Sequence, residues 1–162
     1  MAVERLKYNS QGKIISGIRR LKRPEFGTGE LWDNGDPKVN WGAWKTKYAD
    51  NNGFDIRNRE ANGSHTIMTV LPKGTRLIRY GLETGKFTAP KGTVYDELSL
   101  PYQEESCEFN EYVVEADSIT VYCNVEKGKV APMFGASGGG IQFFHLDGTV
   151  RSLVKRNILR RV

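Results

Sequence analysis

Apolar and polar residues partly alternate along several short segments in the second half of the chain. Thr66–Leu71 and residues 75–80 show this pattern, and glycine and proline bound both segments. Alternation with a period of two predicts β-strands that bury one face. The further predicted strands are residues 112–115, residues 118–124, residues 129–131 and Ile141–His145.

Turns rich in glycine and proline separate these strands, at residues 72–74, 90–92 and 126–128. Near the end of the chain, residues 151–157 predict one short helix before the apolar Ile158 and Leu159. We expect an α+β fold that is mainly antiparallel β and compact, with short helices in the N-terminal extension and at the C-terminus.

Residues 1–65 are polar and rich in turn signals, with little sustained periodicity. We interpret them as an N-terminal extension that wraps the domain formed by residues 66–162. One exception is Trp41–Tyr48, where Trp41, Trp44 and Tyr48 have the spacing of one helix face. This stripe either docks the extension onto the domain or forms a surface that stacks against a ligand.

With 162 residues, of which 38% are hydrophobic, the chain has enough material for one compact core. No apolar run approaches the roughly 18 to 20 residues that a membrane span needs, and the first ten residues lack the apolar core of a signal peptide. We expect no membrane partner, and delivery by some other means if the protein leaves its cell.

The net charge of +5 is unevenly distributed along the chain. Residues 96–117 carry eight acidic side chains and no Lys or Arg, whereas the last twelve residues carry five basic ones. The two stretches either attract one another or are solvated faces, and exposed ion pairs contribute little to stability. Without an aromatic platform, zinc-ligand spacing or a paired-carboxylate metal site, the basic tail does not indicate a nucleic-acid partner or a nuclease.

The cysteine and histidine content predicts no metal site. His65 and His145 are isolated from each other in sequence, which favours ordinary structural or surface roles. Cys107 and Cys123 are an even number, but sequence alone cannot bring their sulfur atoms within bonding distance.

Residues 131–142 (APMFGASGGGIQ) are the densest local motif, with three consecutive glycines before a predicted strand. Such glycines cost conformational entropy on folding. They indicate either a flexible hairpin loop or a backbone that approaches a flat or phosphorylated ligand closely. The motif is not a Walker loop, because no Gly-Lys-Ser/Thr follows, and it does not open a helix as a dinucleotide fingerprint does.

This segment resembles the A-P-x-F-G-x-x-G-G-G-x-Q pattern of the tuberculosis necrotizing toxin (TNT) family of NAD glycohydrolases. Three further blocks resemble the same family in the same order: LPKGT at 71–75 with RYG at 79–81, GKFTAPKGT at 85–93, and SLP at 99–101. The resemblance extends from about Leu71 to Gln142, and four ordered blocks are more specific than any single one. Residues 1–65 gain no support from it.

The resemblance implies an NAD(P)+ glycohydrolase toxin that cleaves the nicotinamide–ribose N-glycosidic bond. It implies no cofactor, since NAD+ or NADP+ is the substrate. A cognate immunity protein is the expected partner. We expect the chain to be secreted or delivered as part of a larger toxin and to act in the cytoplasm of the target cell.

The resemblance also implies the site. Gln142 and Arg79 correspond to the family's catalytic glutamine and diphosphate-binding arginine, and a guanidinium offers the paired donors that phosphate oxygens prefer. Tyr80, Phe87 and Phe134 occupy aromatic positions that either pack against NAD or belong to the core. The backbone of Gly138, Gly139 and Gly140 is expected to approach NAD.

Two positions depart from the family pattern. Leu98 stands where many members have a second phosphate-binding arginine, so Lys86 or another basic residue is the expected substitute. Asn110 stands near the expected place of a catalytic histidine, so any general base is Glu111 or another carboxylate. Two other functions therefore remain open, namely ADP-ribosyl transfer to a protein and a catalytically weakened module that keeps the NAD-binding fold.

Overall fold

The computed structural model describes residues 7–15, 40–48, 51–101 and 104–162. These residues form a seven-stranded antiparallel sheet with strand order β3-β7-β8-β5-β4-β6-β9 and a separate two-stranded sheet, β1-β2. The strands are β1 Lys7–Tyr8, β2 Ile14–Ile15, β3 Thr66–Leu71, β4 Arg76–Tyr80, β5 Phe87–Pro90, β6 Phe109–Val114, β7 Cys123–Lys129, β8 Ile141–His145 and β9 Leu159–Arg161. Helix α1 spans Trp41–Tyr48 and helix α2 spans Val150–Lys155. Two 3-10 helices cover Tyr95–Leu98 and Glu104–Ser106.

The predicted fold class is confirmed, because the described chain is mostly antiparallel sheet with two short helices. The predicted bounds of β3, β8 and α1 match those observed. Strand β4 begins one residue later than predicted, and β6 begins three residues earlier. Helix α2 starts at Val150 because the Thr149 hydroxyl accepts a hydrogen bond from the backbone N–H of Ser152.

The prediction of a strand over residues 118–124 is wrong for all but its end. The carboxylate of Asp117 accepts hydrogen bonds from the backbone N–H groups of Ile119, Thr120 and Val121. An acidic side chain that binds successive N–H groups competes with a sheet for the same donors. The segment is therefore a loop, and β7 begins only at Cys123.

Residues 129–131 do not form the separate strand that was predicted. Lys129 ends β7, and Val130 makes an isolated antiparallel bridge with Phe54. Phe54 is 1% exposed, so this bridge fastens the end of the N-terminal extension to the main sheet. Strands β5 and β9 were not predicted. Both are short and depend on neighbouring strands for their pairing.

Two apolar clusters lie around the main sheet. The larger one combines residues of the sheet with Val150 and Leu153 of α2. The smaller one consists of Val130, Ala131, Met133 and Phe134, and Ala43, Trp44 and Leu98 pack against it. Helix α1 therefore docks on the second cluster through Ala43 and Trp44, whereas Trp41 of the predicted stripe is 47% exposed. No helix in the described ranges is long and apolar enough to cross a membrane.

Candidate active site

A cavity of about 420 Å³ lies beside the second apolar cluster. Its described walls are the tryptophans of α1, the turn at residues 52–53, the end of β4 with the loop that follows, and the start of β5. Residues 98–101, residues 133–134 and Gln142 complete them. The volume falls within the range of pockets that hold small ligands.

One charged side chain, that of Arg79, belongs to the described lining. The other lining residues are aliphatic, aromatic, glycine or neutral polar, and no carboxylate or imidazole is among them in the described ranges. A single cation among apolar walls favours a ligand that has an anionic group and flat or apolar parts.

Arg79 is held in place by the chain that follows it. Its Nε donates to the carbonyl oxygen of Leu82 at 2.8 Å, and its Nη1 donates to that of Phe87 at 2.9 Å. The loop between β4 and β5 thus folds around the guanidinium, which also lines the cavity. The predicted contact of Arg79 with a diphosphate stays a prediction.

Glu83 anchors the same loop from the other side. Its carboxylate is 5% exposed and accepts hydrogen bonds from the Tyr112 hydroxyl at 2.6 Å and from Nε of Arg161 at 2.8 Å. Burial, together with the bond to Glu83, raises the pKa of Tyr112, so its phenol stays protonated and donates. The last strand of the chain thereby fixes the loop that lines the cavity.

Gln142, on β8, lies in the cavity wall with 9% of its surface exposed. Its Nε2 donates a hydrogen bond to the carbonyl oxygen of Asn52 at 3.1 Å. The amide of the predicted catalytic residue is therefore held by the N-terminal extension, 90 residues earlier in the chain.

All three predicted aromatic residues lie in the cavity wall. Tyr80 packs edge-on against Tyr95 at 5.1 Å between ring centroids, and burial raises its pKa to about 12, so it stays a neutral phenol. Phe87 packs against Phe144 at 5.0 Å. Phe134 is 5% exposed and belongs to the second apolar cluster. Phe134 therefore belongs to both the core and the cavity wall, whereas Tyr80 and Phe87 are half-buried wall residues outside the two apolar clusters.

The three glycines lie outside the described cavity lining. A Cβ on Gly138 would lie 2.7 Å from the backbone of Ala131, and one on Gly140 would lie 2.9 Å from Cβ of Glu97. The backbone N–H of Gly140 also donates to the Glu97 carbonyl oxygen at 3.1 Å. The close approach that requires glycine here is to the chain itself, and the predicted contact of Gly138, Gly139 and Gly140 with NAD stays a prediction.

The two positions that depart from the family pattern lie in different surroundings. Leu98 faces the cavity, so the site has an apolar group where a second arginine was expected. Asn110 pairs with Arg79 in the register of β4 and β6 and donates to Glu108 at 3.1 Å. Neither of the expected substitutes, Lys86 and Glu111, lies in the described lining. Lys86 lies 5.9 Å from the ring of Phe144, and Glu111 pairs with Lys91 at 3.4 Å.

His145 has the structural role that its isolation predicted. It is 1% exposed, and its Nε2 lies 2.7 Å from the hydroxyl of Thr88, a cavity-lining residue. Burial, with a further contribution from Arg79, lowers the pKa of His145 to about 4.

Cys107 and Cys123 are both buried free thiols. The described residues contain no cluster of His, Cys, Asp or Glu that would hold a metal ion.

The N-terminal extension supplies part of the cavity that sequence reasoning did not assign to the site. Trp41 and Trp44 line it and contact each other edge to face, with 6.0 Å between ring centroids. Asn52 and Gly53 form the adjoining wall. The aromatic stripe and the Asn-Gly turn were visible in the sequence, but no motif connected them with Gln142.

Comparison with known proteins identifies the family. Residues 70–162, more than half of the chain, match the family model for the tuberculosis necrotizing toxin. The chain belongs to the TNT family. A relative, the conidial surface nicotinamide adenine dinucleotide glycohydrolase nadA of Aspergillus fumigatus, is 33% identical over 134 residues, which cover 74% of this chain and 54% of that protein. This TNT chain thus spans about half the length of that curated relative.

One solved structure supports the same fold. The tuberculosis necrotizing toxin complexed with its immunity factor IFT matches 90% of this chain and 84% of its own, with a TM-score of 0.50 and 21% identity. Tse6 in complex with Tsi6 matches 70% of this chain and 79% of its own, with a TM-score of 0.48 and 18% identity. The first similarity shows that the chain has the TNT fold.

Proposed function

We propose that this TNT chain is an NAD(P)+ glycohydrolase toxin domain that cleaves the nicotinamide–ribose bond and releases nicotinamide and ADP-ribose or its phosphate. The observation that carries the proposal is that the Gln142 amide and the Arg79 guanidinium line one cavity with aromatic walls. The relative from Aspergillus fumigatus, which is named as a glycohydrolase of nicotinamide adenine dinucleotide, supports it.

The chemistry of the lining suits this reaction. Breaking the N-glycosidic bond develops positive charge on the ribose, and nicotinamide leaves as a neutral molecule. The enzyme must then hold the substrate, stabilise that charge and admit water. The neutral amide of Gln142 is suited to bind a ribose hydroxyl or the attacking water, and Arg79 is suited to bind the diphosphate.

The aromatic walls suit the flat rings of the substrate. Tyr80, Phe87 and Phe134 present ring surface, and Trp41 and Trp44 add to it from α1. Ring faces of this kind bury the apolar surface of a nucleotide. A good leaving group needs little help from a base, so hydrolysis is compatible with a described lining that has no carboxylate.

We also propose that hydrolysis needs no metal or cofactor. Enzyme treated with EDTA and then freed of the chelator is expected to keep its rate of NAD+ loss. A rate that falls on treatment and recovers when a divalent ion is added would contradict this.

No observation favours transfer of ADP-ribose to protein. Mass spectrometry separates the two reactions, because hydrolysis gives free ADP-ribose and transfer gives a mass increment on protein.

The test of the main proposal is the loss of NAD+ in the presence of the purified protein. Gln142→Ala is expected to lower the rate by about 10²-fold, as when one hydrogen-bonding group to a transition state is removed. Arg79→Ala is expected to raise KM, because Arg79 is the proposed ligand of the diphosphate. It is also expected to lower kcat, because Arg79 supports the loop between β4 and β5.

Matched controls are exposed residues of the same types, Arg76→Ala at the start of β4 and Gln11→Ala in the β1–β2 turn. Both controls should retain the parent rate. If the parent protein does not turn over NAD+ or NADP+ at micromolar enzyme concentration, the glycohydrolase proposal fails.

A cognate immunity protein is the proposed partner, since the tuberculosis necrotizing toxin was solved with its immunity factor. We propose delivery as part of a larger toxin and action in the cytoplasm of a competing cell. Expression of the chain in a bacterial host should deplete NAD and stop growth, and the Gln142→Ala variant should not. Normal growth and normal NAD at high expression of active protein would contradict this role.

A further inference from the structure

Asn52 fixes which end of the Gln142 amide faces the turn at residues 52–53. A backbone carbonyl oxygen accepts hydrogen bonds and cannot donate them. The group that approaches Asn52 O at 3.1 Å is therefore the NH₂ of Gln142. The carbonyl oxygen of that amide, Oε1, points away from Asn52, and Gln142 lines the cavity.

The turn that carries this carbonyl is held firmly at several points. Asn52 and Gly53 have φ of 51° and 77°, in the left-handed region. The backbone N–H of Phe54 donates to Asn51 O at 2.8 Å. On the far side of the turn, the N–H of Ala131 donates to Gly53 O at 2.9 Å. The buried ring of Phe54 completes the attachment. The Asn52 carbonyl thus has a fixed place relative to β8 and residues 130–131.

We propose that Asn52 is a positioning residue for the reaction, which rests on the proposed glycohydrolase function. Its carbonyl holds the Gln142 amide with Oε1 toward the reacting atoms. The working atom of Gln142 is then an acceptor, which binds a ribose hydroxyl or the attacking water and faces the positive charge that develops on the ribose. One N–H of the NH₂ group has a structural task, which is the hydrogen bond to the Asn52 carbonyl oxygen.

This assignment gives the N-terminal extension a part in catalysis. Asn52 lies before residues 70–162, which match the family model. The extension therefore does more than wrap the domain, because the turn at residues 51–54 completes the site.

The backbone conformation at residue 52 makes the proposal testable. Asparagine and glycine adopt left-handed φ readily, whereas a β-branched residue does not. Asn52→Val should displace the carbonyl, and Asn52→Gly should leave it in place without the side chain. Asn157, exposed in the turn after α2 with φ of 58°, is the matched control, because Asn157→Val imposes the same backbone conflict at a residue outside the described cavity lining.

We expect Asn52→Val to lower kcat for NAD+ hydrolysis by about 10- to 100-fold, the usual effect of a small misplacement of a catalytic group. KM should stay close to the parent value. Asn52→Gly should keep clearly more of the parent kcat than Asn52→Val, and Asn157→Val should keep the parent kcat although it lowers the melting temperature. Equal loss of kcat in Asn52→Gly would assign the effect to the Asn52 side chain and overturn the proposal. So would a parent-like kcat in Asn52→Val.

A second measurement does not depend on turnover. The side-chain ¹⁵N–H₂ signal of Gln142, assigned by its disappearance in Gln142→Glu, should shift in Asn52→Val and stay in place in Asn52→Gly and Asn157→Val. An unchanged signal in Asn52→Val overturns the positioning role. If the parent protein does not turn over NAD+, the glycohydrolase proposal fails. The Gln142 signal would still show whether the hydrogen bond between Gln142 and Asn52, on which the positioning role depends, is present.

Discussion

The guanidinium of Arg79 occupies the space into which a side chain at position 85 would point. An ideal Cβ on Gly85 would lie 2.7 Å from Arg79 Cζ, closer than real Cβ contacts come. Gly85 is therefore required by the packing of Arg79, which its Nε and Nη1 hydrogen bonds hold in one place. The glycine of the GKFTAPKGT block and the arginine of the RYG block form one structural unit.

Gly85→Ala is expected to displace Arg79 and to open the loop around it. Overpacking of this kind costs about 1 to 3 kcal/mol of unfolding free energy, and KM for NAD+ should rise as the guanidinium moves. Gly42→Ala in α1 is the control, since a Cβ there meets its nearest neighbour at an ordinary 3.4 Å. Urea unfolding and initial rates measure both effects. A Gly85→Ala protein with parent-like KM would show that Arg79 does not bind the substrate.

Leu98→Arg should place a second cation in the cavity. Leu98 lines the cavity on the wall formed by residues 98–101, so a guanidinium at this position can reach a bound anion. We expect KM for NAD+ to fall at low salt and the gain to weaken as salt is added, because screening reduces attraction between exposed charges. Leu98→Met keeps an apolar group and is the control. A higher KM in Leu98→Arg alone would mean that the diphosphate binds elsewhere.

The sequence predicted those parts of the fold that depend on local pattern. Strands β3 and β8 were predicted with correct bounds because their alternation is undisturbed. Residues 118–122 also carry apolar residues, but the Asp117 carboxylate binds their backbone N–H groups instead. Strand β9 is three residues long and forms only because β6 offers an edge to pair with. Contacts of this kind between distant segments cannot be predicted from a local sequence pattern.

Candidate site residues were predictable where ordered blocks of the sequence resemble the family. Arg79 and Gln142 were predicted in this way, and the structure brings both to one cavity, while their roles stay predictions. The role of Asn52 was not predictable, because a backbone carbonyl leaves no signature in residue type. Its Asn-Gly pair indicated a turn and nothing about a partner 90 residues later. The contact of Gly140 with the Tyr95–Leu98 helix was equally hidden.

His145 is expected to make stability depend on pH. Burial lowers its pKa to about 4, whereas an unfolded histidine titrates near about 6.5. The unfolded chain therefore binds the proton first as pH falls, so the stabilisation is complete above about pH 6.5 and is lost progressively toward pH 4. Between pH 7 and pH 5 the free energy of unfolding should fall by on the order of 2 kcal/mol from this group.

Urea unfolding at a series of pH values measures this slope. His145→Gln, which stays neutral, should have a flatter profile over the same range. His65→Gln controls for the loss of a histidine, and its profile should follow that of the parent. A His145→Gln profile as steep as the parent's would show that another group causes the loss of stability.

Arg161 near the C-terminus is expected to stabilise the cavity loop through Glu83. Its Nε and Nη2 bind both oxygens of a carboxylate that is almost fully buried, so removing Arg161 takes both of these donors away from Glu83. Breaking a buried pair costs about 3 to 5 kcal/mol, and we expect a smaller loss of roughly 2 kcal/mol because water reaches the partly exposed arginine. Since Glu83 belongs to the loop that lines the cavity, KM for NAD+ should rise as well.

The neighbouring Arg160 provides the matched control for this prediction. It pairs with Glu115 at 2.9 Å, but the arginine and carboxylate side chains are 58% and 33% exposed. An exposed pair of this kind contributes little to stability, so Arg160→Ala should leave both the unfolding free energy and KM close to the parent values. Both variants remove one cation from the same short strand and differ in the burial of the partner. Equal losses in the two would assign the effect to net charge rather than to the buried Glu83 contact.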